Sequence, residues 1–185
     1  LPSVKEINSL NLNDKYEPSI KEINRKVLSL EESALNNKKI TNSEGAELSY
    51  TKNKIFLLAS NGLESEITKT HSDYIVAVLA GRKGQMERAY DYKSKVFFDD
   101  LGDLEKVGEN VAIDAINKLN SRKIKTCKCD VIYDSKISSS LLSNLFNACN
   151  ASSIIKGTSF LKNKKKKRIF NENINIVDDP LMEKK

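Results

Sequence analysis

The period of the hydrophobic pattern changes along the chain, and each change predicts an element. From Pro18, a residue suited to the first turn of a helix, Ile20, Ile23, Val27, Leu30 and Ala34 keep a helical stripe until Asn36-Asn37 breaks it. That spacing predicts an amphipathic, partly solvent-facing helix. Between Ile40 and Phe98 the period becomes that of strands. Leu48 and Tyr50, then Ile55 and Leu57, lie on either side of Lys52-Asn53-Lys54 and predict a hairpin that ends at the turn Asn61-Gly62. In a second hairpin Tyr74, Val76 and Val78 alternate with Ile75, Ala77 and Leu79. Gly81-Arg82-Lys83-Gly84 then reverses the chain, and Met86, Arg88, Tyr90 and Tyr92 return. Strands joined by short polar turns make an antiparallel sheet. Leu104, Val107, Val111, Ala115 and Leu119, widened by Ala112 and Ile116, predict a helix covering that sheet, from the cap Asp103 to Asn120.

The second part of the chain starts after a polar, basic connection, Ser121 to Lys125. Val131, Ile132 and Tyr133 predict a short buried strand, and Asp134 and Ser135 supply side-chain oxygens to cap a helix. Ile137, Leu141, Leu142, Leu145, Phe146 and Cys149 follow at helical spacing, with Ser139, Ser140, Ser143, Asn144 and Asn147 opposite. Such a helix is expected to be a core element, so truncating Leu141, Leu145 or Phe146 should cost far more than altering Ser143 or Asn147. Lys156-Gly157-Thr158-Ser159-Phe160 closes this stretch with a turn expected to re-enter sheet, Gly157 being free to take positive φ. Ile169-Phe170 and Ile174 to Val177 predict two further short strands. The fold class is α+β: an antiparallel sheet of hairpins covered by helices, followed by the start of a β-rich C-terminal domain. Residues 1–14 read as a linker or the end of a preceding domain, 15–122 as a middle domain and 126–185 as the start of the next.

Composition narrows the chemistry. The chain has 185 residues and a net charge of +6, much of it in the lysine run that ends at Arg168. Lys164, Lys165, Lys166, Lys167 and Arg168 would contact a polyanion by releasing its counterions, but no aromatic interleaves them and they fall between two expected strands. A solvated loop is the preferred reading, and low-complexity lysine in a chain rich in Asn and Ile fits biased composition. No apolar run reaches the roughly 18 residues of a membrane span, and no signal peptide is visible. The three cysteines, Cys127, Cys129 and Cys149, lack CxxC spacing and are expected as buried free thiols, which fits a cytoplasmic location. Ser138-Ser139-Ser140 and Ser152-Ser153 have neither a GxSxG elbow nor a neighbouring histidine, and Gly81 and Gly84 occupy a hairpin turn, not a phosphate loop. His71, the single histidine, is expected to be hydrogen-bonded and structural. Glu87 and Arg88, adjacent on a strand, point to opposite faces and so cannot pair with each other.

Several short motifs carry a resemblance. Asn42-Ser43-Glu44-Gly45 resembles an NSEG turn, Met86 to Tyr92 (MERAYDY) an MERDY-type strand, Lys156 to Phe160 a KGTSF turn, and Val177-Asp178-Asp179-Pro180 a VDDP segment. In this order, together with the strand and Ser/Leu-rich helix before KGTSF, they resemble the TldD/PmbA proteins, also called modulators of DNA gyrase. The resemblance runs from Ile40 to Leu181. It implies that the chain is an internal piece of a longer protein.

TldD-type members carry HExxxH on the helix before KGTSF, which implies zinc and peptide hydrolysis. Counted back from KGTSF, the histidines would fall at about Leu142 and Asn147 with Ser143 at the glutamate, or one residue on at Ser143 and Ala148; neither register contains a histidine. The chain therefore looks like the PmbA (TldE) type. The resemblance implies a subunit with no cofactor and no catalytic residue of its own, zinc being expected only in a TldD-type partner. It also implies a peptide substrate, and a heteromeric complex or self-association. Ser143, Asn147, Lys156 and Thr158 are the candidate substrate- or partner-facing residues. The alternative is a stand-alone module contacting nucleic acid or a DNA-processing enzyme through the lysine-rich loop.

Overall fold

The computed structural model describes residues 10–82 and 84–184. They divide into two compact units, one reaching Arg122 and taking in the segment from Asp179, the other Lys123–Asp178. In the first unit α1 (Ile20–Leu35) leads into β1 (Ile40–Leu58), β2 (Glu64–Arg82) and β3 (Gln85–Lys95), and after a 3-10 turn α2 (Leu104–Asn117) completes it. The strands form one antiparallel sheet in the order β1-β2-β3.

Both helices begin where a side chain satisfies free backbone N–H groups. Ser19 Oγ accepts from Glu22 N and Asp103 Oδ1 from Lys106 N, each at 3.2 Å. Leu30 and Ala34 of α1 and Val111, Ala112 and Ala115 of α2 are buried against Tyr74, Val76, Val78, Ala80 and Ala89. This is one face of the sheet, the alternating set expected on β2. The helices cross closely because Gly108 has no side chain: a Cβ there would lie 2.1 Å from Ser33 Oγ and 2.4 Å from the Leu30 carbonyl oxygen.

The first hairpin differs from expectation. Lys52-Asn53-Lys54 does not reverse the chain, and β1 runs unbroken for 19 residues. Nothing there favours a reversal, whereas Asn61-Gly62 does: Gly62 takes φ 85° and Asn61 Oδ1 accepts from Leu63 N at 3.2 Å. Asn42-Ser43-Glu44-Gly45 is likewise strand, not turn. It holds two register shifts, between Ile40 and Asn42 and between Ser43 and Gly45, where Ser43 Oγ accepts from Gly45 N at 2.9 Å. The second hairpin is as predicted, Val78 pairing with Ala89 and Arg82 with Gln85; Lys83 of its turn lies outside the described residues. Of the segment 1–14, residues 1–9 also lie outside them. The remainder is tied into the sheet: Thr70 N donates to the Leu12 carbonyl at 3.0 Å, and Asp14 Oδ2 accepts from Phe98 N at 2.9 Å.

In the second unit α3 (Ser135–Cys149) starts at its predicted cap, Asp134 Oδ1 accepting from Lys136 N at 2.8 Å. A short α4 (Ala151–Ile155) follows, capped by Asn150. Gly157 has φ 77°, and Ser159 Oγ donates to the Ala148 carbonyl at 2.7 Å while accepting from Leu161 N at 3.0 Å. These bonds fold the KGTSF turn back on α3. The strands expected at Val131 to Tyr133, Ile169-Phe170 and Ile174 to Val177 do not form. An apolar tripeptide becomes strand only when a neighbour takes its N–H and C=O groups, and none does so among the described residues of this unit. Ile132 is 96% exposed. With no sheet beneath it, α3 is not the core element expected: Ile137, Leu141, Leu142 and Phe146 remain exposed and Ala148 is its buried residue. For the same reason Cys127, Cys129 and Cys149 are exposed thiols, not buried ones.

Candidate functional site

The helix that the motifs single out carries no reactive set. Ser143 Oγ donates along the helix to the Ser139 carbonyl at 3.2 Å, the back-bonding typical of a helical serine. Asn147 is exposed on the same helix. Lys156 is the C-cap of α4, and Thr158 Oγ1 donates to the Ser153 carbonyl at 3.3 Å. Thus Lys156 and Thr158 serve the turn, and none of the four candidates lines the groove beside α3.

Part of the lysine run does converge with apolar groups. An open groove of about 500 Å³ is lined by Leu145, Phe146 and Cys149 of α3, by the run from Lys167 to Glu172, by Ile174 to Ile176 and by Asp178. Arg168 Nη1 lies 3.2 Å from Glu172 Oε2, so its charge is partly answered locally. Lys164, Lys165 and Lys166 are exposed and do not line the groove. The sequence reading missed Ile169, Phe170, Ile174 and Ile176 as groove residues by placing them in strands. The signal available for the ion pair was the four-residue spacing of Arg168 and Glu172.

A zinc ion does not fit these residues. Leu142, Ser143, Asn147 and Ala148 offer neither imidazole nor carboxylate, and no group of three His, Cys, Asp or Glu gathers among the described residues. His71 is engaged in the first unit, its Nε2 3.1 Å from Ser94 Oγ and 3.2 Å from Asp73 Oδ1. Glu87 accepts from Ser121 Oγ at 3.0 Å and Arg88 pairs with Glu44 at 2.7 Å, the separate partnerships that opposite faces require.

An α+β unit of this topology, followed by a Ser/Leu-rich helix and a KGTSF turn, defines a class of protein with two consecutive domains, and a family model matches each of them. Residues 13–119 match the PmbA/TldA metallopeptidase central domain, and residues 126–185 the PmbA/TldA metallopeptidase C-terminal domain. The chain belongs to the PmbA/TldD family. It is 33% identical over 159 residues to the metalloprotease PmbA homolog of Buchnera aphidicola from Acyrthosiphon pisum, covering 85% of this chain and 35% of that protein. It is 30% identical over 144 residues to metalloprotease PmbA of Escherichia coli O157:H7, covering 77% and 32%. The chain thus spans about a third of the length of these relatives. A crystal structure from Bacteroides thetaiotaomicron, named as a proposed modulator of DNA gyrase, matches with TM-score 0.72 and 26% identity over 84% of this chain and 36% of the other. A structure of the same description from Thermotoga maritima matches with TM-score 0.74 and 20% identity over 83% and 36%, a likeness of fold. No helix among the described residues is long and apolar enough to cross a membrane.

Proposed function

We propose that this chain is a non-catalytic subunit, of the PmbA/TldE type, in a zinc-dependent peptidase complex acting on small or unfolded peptides. The observation that carries the reading is the helix α3: at the positions where a metal-binding relative would place histidines stand Leu142 and Asn147, with Ser143 between them. The zinc would come from a TldD-type relative. This chain would help to shape the space in which an extended peptide lies; β1 and β3, the two edges of the sheet, have the unpaired backbone groups to which such a peptide adds.

The test is metal analysis of the purified chain beside a peptide-hydrolysis assay, alone and after co-purification with a TldD-type relative. No stoichiometric zinc and no hydrolysis alone, with hydrolysis by the pair, is the expected result. One tightly held zinc per chain that survives His71→Ala would overturn it. Strong, salt-dependent DNA binding, lost when Lys164 to Lys167 are replaced by Ser, would support the nucleic-acid alternative instead.

A further inference from the structure

Between the end of α2 and the cap of α3 runs a connection with a chemistry of its own. From Ser121 to Asp134 it forms no helix, strand or turn, and every residue in it is exposed. No described residue takes the backbone hydrogen bonds of Arg122 to Tyr133. Ile124, Thr126, Val131 and Ile132 are β-branched and favour an extended chain over a helical one. In an extended chain, residues two apart face the same side. Lys123, Lys125, Cys127 and Cys129 therefore share one side of the connection, and Lys128 and Asp130 take the other.

Cys127 and Cys129 are both exposed free thiols. They can be joined by a disulfide or by a shared ion, and length decides between the two. Two residues of extended chain rise about 6.6 Å, at the outer limit of the Cα separation that a disulfide spans. Closing that bond would bend the backbone and strain the bridge. An ion between the thiolates asks for less bending, since two metal–sulfur bonds of about 2.3 Å in line hold the sulfurs about 4.6 Å apart. No third His, Cys, Asp or Glu makes a cluster with the pair among the described residues. Tetrahedral zinc is thus left two ligands short, and magnesium and calcium lack their oxygen shell, whereas soft thiolates select Cu(I), a cation that two ligands in line can satisfy. One monovalent cation on two thiolates leaves a single negative charge, which Lys123 and Lys125 on the same side offset.

We propose that Cys127 and Cys129 form a two-thiolate site for a soft monovalent cation of the Cu(I) type. Binding breaks two S–H bonds, passes both protons to the buffer and forms two S–Cu bonds; no electron moves, because the copper arrives reduced. The site lies outside the helix α3 that carries the proposed function, so the two readings stand or fall separately.

The reduced 185-residue chain, titrated with Cu(I) in the absence of oxygen against bicinchoninate as a competing chelator, should hold one copper per chain. Cys127→Ser and Cys129→Ser should each weaken binding by about a hundredfold or more, because the second thiolate acts at the high effective concentration that so short a link gives. Cys149→Ser should leave it unchanged. Release of two protons per copper should make the affinity rise about a hundredfold per pH unit while both thiols are protonated. A reduced chain that binds no copper, retention of full affinity in either Cys127→Ser or Cys129→Ser, or loss of it in Cys149→Ser overturns the proposal. Equal binding by the chain carrying Cys127→Ser and Cys129→Ser together, which would mark adventitious capture by any exposed thiol, overturns it as well. All three cysteines are exposed, so thermal melting of the variants should match that of the parent and the readout follows the thiols, not the fold.

Discussion

Asp14 holds together three parts of the chain that are far apart in sequence. Its Oδ1 accepts from Tyr16 N at 2.9 Å, its Oδ2 from Phe98 N at 2.9 Å, and its own N–H donates to Thr70 Oγ1 at 2.7 Å. Removing the carboxylate would leave the Phe98 N–H in a buried site without its acceptor, so Asp14→Ala should lower stability by about 1–3 kcal/mol, measured by chemical denaturation. Tyr74 makes a different kind of statement. Its side chain is 4% exposed, and burial, with the Asp91 carboxylate adding to it, raises the phenol to about 12 from 10.0. The unfolded chain therefore gives up this proton first, and stability contributed by the neutral phenol is present below pH 10 and is lost as pH rises from 10 towards 12. The unfolding free energy measured across this window should fall less steeply in Tyr74→Phe than in the parent.

Two helices of similar amphipathic pattern have opposite surroundings. Leu30 of α1 is fully buried between α2 and the sheet, whereas Leu141 of α3 is exposed. Leu30→Ala should cost about 2–5 kcal/mol through lost burial and a cavity, and Leu141→Ala well under 1 kcal/mol; paired thermal melts of the two variants check this. The sequence showed that both helices exist, and that α2 and α3 are capped by Asp103 and Asp134, because capping and periodicity are local. It placed β2 and β3 correctly because their alternation flanks a glycine turn. What a helix lies on is not local, and so the burial of α3, the strand at Val131 and the thiols were misjudged together. The same limit explains β1: the polar Lys52-Asn53-Lys54 looks like a turn, but a partner strand of equal length keeps it extended. At the candidate site the absence of histidines could be read directly from the sequence. The grouping of Phe146, Arg168 and Phe170 around one groove could not, since it depends on how irregular chain folds back.

The two units differ in how much they bury. In Lys123–Asp178 the buried residues are Ala148, Ser159 and Leu161, while the first unit holds the hydrophobic core. Opening of the second unit therefore exposes little apolar surface. Amide hydrogen exchange should be faster in α3 and α4 than in the middle of β2, by orders of magnitude, and protection equal to that of β2 would show that the second unit is stabilised by more than these contacts. The double bulge of β1 bears on the whole first unit in another way. Each extra residue inverts the side to which the chain upstream of it points, and two restore it, which is why Ile40, paired with Ala80, is again on the helix-covered side. Thr41 and Glu44, which the two shifts leave unpaired, are therefore slack in the strand that leads back to α1. Loss of one or two residues between Thr41 and Gly45 closes a bulge and leaves Ile40 opposite Ala80, with α1 leaving the sheet where it does now, whereas loss of a third draws Ile40 off that pair and towards the other face. Deletions in this segment should be tolerated up to two residues and rejected beyond, as thermal melting of the shortened chains would show.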